Sequence, residues 1–259
     1  MNFMNHLARF SAFFMLLLVL IVPSVFAADK DVGSVNYYAP MIDDESYAAL
    51  LKHIFDGGDA DGALLLYDEL ENHMRSSEYD AWMQDAALAR ASLIVAQDLA
   101  GDERKDEAVS YMNRAEDLIA GLDDKGAPES ATGVLEALAT SFWYLVDGSV
   151  SKAMKFPKMV DNLFKEHPED FHVMLLQADR YLHSPAIVGG NTAKGRNLFL
   201  DAEKVMDENG AAIWDKFTIY SGIAYGYDRT KKHEQAVPYA ELAAAIYTAD
   251  ATVNEILER

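Results

Sequence analysis

The sequence predicts an all-α fold, a right-handed stack of about five antiparallel helical hairpins, and three observations predict it. A short phrase that opens on a small residue recurs at Ala63-Leu64-Leu65-Leu66-Tyr67, Ala108-Val109-Ser110-Tyr111-Met112, Ala153-Met154-Lys155-Phe156, Gly195-Arg196-Asn197-Leu198-Phe199 and Ala236-Val237-Pro238-Tyr239-Ala240, at spacings of 45, 45, 42 and 41 residues. Even periods of about 20–50 residues mark stacked repeat units. Between the phrases, apolar residues recur at steps of three and four, the stripe of a helix with one buried face. The alternating β-branched runs that announce strands do not occur for more than a few residues.

The elements follow in order. Asp43-Asp44 caps a helix through about Phe55 whose inner face holds Tyr47, Leu50, Leu51 and Ile54. Gly57-Gly58-Asp59 ends it, and a second helix from Ala60 to Met74 buries Leu64, Tyr67 and Leu70. The next pair is Tyr79–Leu99 and Lys105–Leu122, hinged at Gly101-Asp102. Pro128-Glu129 opens a third pair with Val134, Leu138, Phe142 and Leu145 inward. After Gly148-Ser149 a helix holds Met154, Met159, Val160 and Leu163, interrupted by Phe156-Pro157. Pro168-Glu169-Asp170 starts the fourth pair, and a longer connection, Ser184–Asn191, leads to a helix from Thr192. The fifth pair is Ala211–Tyr227 and Glu234–Ala249, followed by a short tail to Arg259. At each helix crossing a small residue lets two backbones approach, and the aromatic one turn later fills the adjacent groove. A pair alone leaves an apolar face wet, so neighbours must stack.

The N-terminus reads differently. Met1–Arg9 carries one Arg, Phe10–Val22 is apolar apart from Ser11, Pro23-Ser24 breaks the run, and Val25-Phe26-Ala27 offers the small-x-small site of signal cleavage. The run is short of the ~20 residues a membrane-spanning helix needs. We therefore expect a cleaved signal peptide over 1–27, an extended lead-in over 28–42, a single helical-repeat domain over 43–259, and a periplasmic or secreted protein without stable membrane insertion. Absence of cysteine removes both disulfides and lipid attachment, so the core alone must stabilise the fold. Without residues 1–27 the chain carries 21 basic and 42 acidic residues, about −21, a surface that repels nucleic acid and anionic membranes.

Two resemblances refine this reading. Ile223-Ala224 and Tyr227, followed by Ala236, Ala240 and Ala243, resemble the small and aromatic positions of a tetratricopeptide repeat, although that unit repeats at about 34 residues. Armadillo and HEAT units match the period better, and the small-aromatic spacing less well. The second resemblance rests on Trp143 near a helix end, Phe156-Pro157, and the run Ala178-Asp179-Arg180-Tyr181-Leu182-His183-Ser184-Pro185-Ala186-Ile187-Val188-Gly189-Gly190-Asn191 before Lys194 and Phe199. Over roughly residues 135–205 this order resembles the T-component family of tripartite ATP-independent periplasmic (TRAP) transporters, with Asn191 in place of the usual Asp and no lipid-attachment cysteine. The resemblance implies an exported helical-repeat accessory that contacts a solute-binding protein or a small apolar ligand, without catalysis.

Candidate binding residues follow: Trp143, Arg180, Tyr181, His183, Pro185, Gly189, Gly190 and Asn191. Turn chemistry alone accounts for the Pro and the glycines, with Asn191 or Thr192 capping the next helix. Alternatively the loop is a binding rim on a rigid scaffold. Arg180 beside Tyr181 would then anchor a carboxylate bidentately, in a groove lined by part of the aromatic-rich C-terminal half (Tyr144, Trp214, Phe217, Tyr220, Tyr225, Tyr227, Tyr239, Tyr247). Lys152, Lys155 and Lys158, with Lys165 beyond, form a basic cluster in an acidic chain. It reads either as a solvated face or as a docking patch for an acidic partner.

Other chemistry finds no support in the residues. The histidines lack one-turn metal pairing. Asp59-Ala60-Asp61-Gly62 puts Gly57 where a calcium loop needs its first carboxylate, so helix capping by Asp59 explains it better. No nucleophile elbow, cysteine nucleophile or phosphate loop is present, so neither catalytic residues nor a cofactor or metal are expected. The function expected is an exported scaffold for protein–protein interaction, with a carrier of a small apolar or carboxylate ligand as the alternative.

Overall fold

The computed structural model describes Met41, residues 44–209 and residues 213–259. The expected signal segment, the lead-in other than Met41, the helix start at Ala211 and the side chain of Trp214 lie outside what it describes. Among the described residues every regular element is helical. They fall into two compact units, 41–159 and 160–259, with the division inside one helix, between Met159 and Val160.

In the first unit α1 (Glu45–Phe55), α2 (Ala60–Ser76), α3 (Ala81–Gly101), α4 (Lys105–Ala120) and α5 (Glu129–Asp147) pack successively, and α5 also returns onto α3. Short α6 (Val150–Ala153) leads into α7 (Phe156–Glu166). The second unit continues with α8 (Phe171–His183), α9 (Thr192–Asn209), α10 (Ile213–Arg229), α11 (His233–Ile246) and α12 (Ala251–Leu257), again packed neighbour on neighbour.

The helix starts are written in capping chemistry. Asp44 Oδ1 accepts from the amides of Ser46 and Tyr47 at 2.9 and 3.2 Å. Asp59 Oδ1 accepts from Gly62 at 2.7 Å, the capping role the sequence suggested over calcium. Asp170 and Asn191 do the same for α8 and α9. Each satisfies amides that the first helical turn would leave without a partner.

A common register runs through α2, α4, α9 and α11. Counting from the capping residues Asp59, Arg104, Asn191 and Lys232, the fourth position is always the small rung: Ala63, Ala108, Gly195 and Ala236, each with its amide bonded to the cap carbonyl. The rungs are buried, as are the positions four and seven residues further on: Tyr67 and Leu70, Met112 and Ala115, Phe199 and Ala202, Ala240 and Ala243. The turns before Ala108 and Ala236 share an unusual backbone. Glu103 and Lys231 both take left-handed φ (64° and 60°), and the next amide bonds back to Leu99 and Tyr227 carbonyls respectively. One local solution therefore serves two helix starts 128 residues apart (Ala108 to Ala236).

The fifth rung departs from this. Ala153 sits four residues after its cap Ser149 and bonds to it, yet it is only half-buried. Pro157 occupies the next inner position. Proline tolerates the first turn of a helix, where no amide bond is required. The chain accordingly closes α6 at Ala153 and restarts α7 at Phe156, leaving Met154 70% exposed. The sequence reading had placed Met154 within the apolar face; Val160 and Leu163 take their inner places as expected.

The C-terminal tail also differs from expectation, because it carries α12. Asp250 caps it through an Oδ1 bond from the Val253 amide at 2.7 Å, and Val253 and Ile256, three residues apart, bury against α11 and α10. Burial pushes the Asp250 carboxyl from 3.8 to about 6. A folded pKa above the unfolded one means the group's stabilisation is complete below pH ~4 and declines as pH rises through about 6. Asp250→Asn keeps the capping oxygen and cannot ionise. The variant should gain on the parent between pH 4 and pH 7 by an amount on the order of 2 kcal/mol. Thermal melts at the two pH values measure it, and parallel curves would refute it.

Candidate partner-binding site

The expected site residues are distributed over both units. Trp143 lies in 41–159, whereas Arg180, Tyr181, His183, Pro185, Gly189, Gly190 and Asn191 lie in 160–259.

Within the second unit, α8 ends and α9 begins on either side of a tightly pinned loop. The Asn191 amide donates to the Tyr181 carbonyl at 2.6 Å, and the Gly190 amide donates to Pro185 at 3.1 Å. A short 3-10 turn, Ala186–Val188, fills the bend. Gly189 takes φ +88°, and a Cβ on Gly190 would stand 1.7 Å from the Ser184 carbonyl oxygen, so this path requires glycine twice. Arg180, 5% exposed, is the pin: Nη1 donates to the Gly189 carbonyl at 3.2 Å and Nη2 to Asp161 Oδ2 at 2.7 Å. Asp161 in turn accepts from Gln177 Nε2 at 2.9 Å. The guanidinium also lies 4.9 Å from the centre of the Tyr181 ring, with Lys194 Nζ at 5.6 Å from it. Arg180 thus does bind a carboxylate, one supplied by its own unit. The loop it holds displays Ile187 at 93% exposure.

His183 and Asp179 sit one turn apart on α8, with Nε2 and Oδ1 3.5 Å apart. Burial raises the Asp179 carboxyl well above its usual range. Burial, and then the charge of Arg229, depress His183 to about 4. Near neutral pH His183 is therefore uncharged, so the contact is not an ion pair. His183 lies stacked on Tyr225, centroids 5.1 Å apart.

No family model, curated protein or solved structure matches this chain.

In the first unit Trp143 is a packed anchor, 7% exposed, its Nε1 donating to Glu116 Oε1 at 2.6 Å. Lys152 Nζ stands 3.6 Å from the centre of its ring, a close cation–π contact. Around this pair the chain exposes Tyr144 (47%), Val150 (61%) and Met154 (70%). Lys155 and Lys158 are exposed too. Among the described residues none of Lys152, Lys155 and Lys158 reaches a carboxylate. The three predicted docking lysines thus lie in the same stretch of chain as exposed apolar side chains that sequence reasoning does not join to them.

Sequence reasoning missed Asp161, the partner of Arg180, and Glu116, the partner of Trp143. Nothing local announces either, since they lie 19 and 27 residues from the groups they hold. Ile187 and Val150 were passed over because helical spacing says which residues share a face and not whether another helix covers it.

Proposed function

We propose that this protein is an exported helical-repeat scaffold for protein–protein interaction, a tetratricopeptide-like stack of about five hairpins with its contact surface where the repeat is interrupted. The observation that carries the reading is that four helices bury the rung and the residue four positions on, whereas at the fifth rung both Ala153 and Pro157 are only half-buried, and the apolar Val150 and Met154 beside them stand in water. Exposed apolar side chains clustered at a break in an otherwise buried pattern are what a partner covers. The resemblance to TRAP T-components supports an accessory role beside a periplasmic solute-binding protein. Arg180, which in the carrier reading would grip a ligand carboxylate, is engaged by Asp161 and Gly189, which favours the scaffold over the carrier.

The test uses the full chain, exported and purified from the compartment it reaches. A photoreactive residue at Val150 should crosslink to a protein, while one at exposed Leu65, on α2, should not. Native mass spectrometry that instead finds a retained small apolar ligand, with no crosslink, would replace the scaffold by the carrier.

The loop supplies an independent prediction. Arg180→Met removes both guanidinium bonds while keeping most of the side-chain volume. Amides of Gly189–Asn191 should then exchange with deuterium at least ten-fold faster, corresponding to loss of about 1.5 kcal/mol or more of local stability. Unchanged exchange would mean the loop holds itself.

A further inference from the structure

We infer that the partner seated on the α5–α6–α7 break presents an acidic amphipathic segment, its carboxylates meeting Lys152, Lys155 and Lys158 and its apolar side chains meeting Tyr144, Val150 and Met154. This rests on the scaffold reading and adds the chemistry of the partner.

Charge complementarity carries the inference. The stretch Gly148–Val160 contains three lysines and no Asp or Glu, in a chain whose net charge is −20. Elsewhere some cations are matched to carboxylates, as Arg75 and Lys125 are with Asp85, Arg104 with Asp61 and Glu107, and Arg259 with Asp228 and Glu255. Others, such as Lys105, Lys165, Lys231 and Lys232, reach none among the described residues. What sets this stretch apart is three lysines within seven residues with no acidic residue between them. The three lysines have no such match among the described residues. At physiological ionic strength charges separated by more than ~8 Å are screened, so distant carboxylates do not cancel this patch. Of the near ones Glu116, bonded to the indole under Lys152, partly offsets that lysine, and Lys155 and Lys158 reach no carboxylate among the described residues.

The geometry adds direction. Lys152 is held over the Trp143 ring, and that indole is fixed by Glu116, so its ammonium is positioned before any partner arrives. A positioned charge loses less entropy on pairing than a free lysine does. Val150 and Met154 lie four residues apart at the start of the break, one turn of apolar contact beside the positive charges. A segment with a hydrophobic face flanked by Glu or Asp fits both features. A nucleic acid offers no apolar side chains to Met154 and Val150, and an anionic membrane would have to approach a body of charge −20 over a wide area.

The experiment places a photoreactive residue at Met154 of the full exported chain and sequences the crosslinked peptide. The expected result is a segment of another protein with at least three carboxylates within about ten residues of an apolar pair. Crosslinking should fall at least five-fold at 0.5 M salt and in Lys152→Gln/Lys155→Gln/Lys158→Gln, whose circular dichroism and melting temperature are checked to be those of the parent. A crosslink to lipid, to a second copy of this chain, or no crosslink at Met154 overturns the inference. So does a protein segment lacking carboxylates, or capture insensitive to salt, although the scaffold reading would survive those two results. Absence of any protein crosslink from Val150 as well would remove the scaffold reading itself.

Discussion

Gly195→Ala is expected to destabilise the protein by about 3 kcal/mol, seen as a fall in melting temperature of roughly 6–12 °C for a chain of this size. The sign is the informative part. In an exposed helix interior Gly→Ala stabilises by up to ~1 kcal/mol, because alanine restricts the unfolded chain and favours helix. Gly195 lies inside α9, but a Cβ there would stand 2.7 Å from the Ala178 carbonyl oxygen and from the Leu182 amide nitrogen, and 3.0 Å from Leu182 Cα. All three are backbone atoms of α8, so no rotamer change relieves the clash and the helices must separate. Separation would loosen the core of Phe171, Leu175, Leu182, Phe199 and Ile223. Gly101→Ala is the control, since a Cβ at that helix end meets nothing within 4 Å, and it should be neutral or slightly stabilising. Equal responses of the two variants in a urea or thermal melt would show that close approach does not set the α8–α9 crossing.

Asp85→Ala is expected to cost about 2–3 kcal/mol. Asp85, 1% exposed on α3, accepts from Arg75 Nη1 at 2.5 Å through one oxygen and from Lys125 through the other, tying α2 and the 3-10 turn Asp123–Lys125 to α3. Breaking a buried pair costs ~3–5 kcal/mol when the remaining charge stays buried. Here the two cations are 44% and 41% exposed and can rehydrate, which reduces the loss. Asp85→Asn retains the shape and one acceptor oxygen but not the charge, and should recover less than half of the difference. Denaturant titration of the three proteins decides it. Full recovery in Asp85→Asn would mean that hydrogen-bond shape, not charge, binds the three elements.

The helices were legible because their determinants are local. Asp44, Asp59, Asp170 and Asn191 cap within three residues, and the apolar stripes repeat within one or two turns, so each start could be placed from neighbours in the chain. The tail was misjudged for a physical reason: α12 has only Val253 and Ile256 to bury, a stripe too short to separate from chance without the surface of α10 and α11 beneath it. Met154 was misjudged because its spacing fits an inner face, and only the restart at Phe156 turns it to solvent.

The candidate site divides along the same line. The loop glycines, the capping Asn191 and the cluster of lysines were visible as residue types in order. That Arg180 is held by Asp161 and holds Gly189 was not, because a guanidinium with free carboxylates on every side of the sequence has no preferred partner until helices fix the distances.

By itself the sequence determined the helices, their caps, the repeated rung and the charge of the surface, since each depends on interactions spanning a few residues or on composition alone. The tertiary structure alone decided which small rung admits no Cβ, which carboxylate takes each cation, and which apolar side chains around the Ala153 break remain in water. Those depend on contacts between residues tens of positions apart, and burial is a property of what packs against a side chain rather than of the side chain.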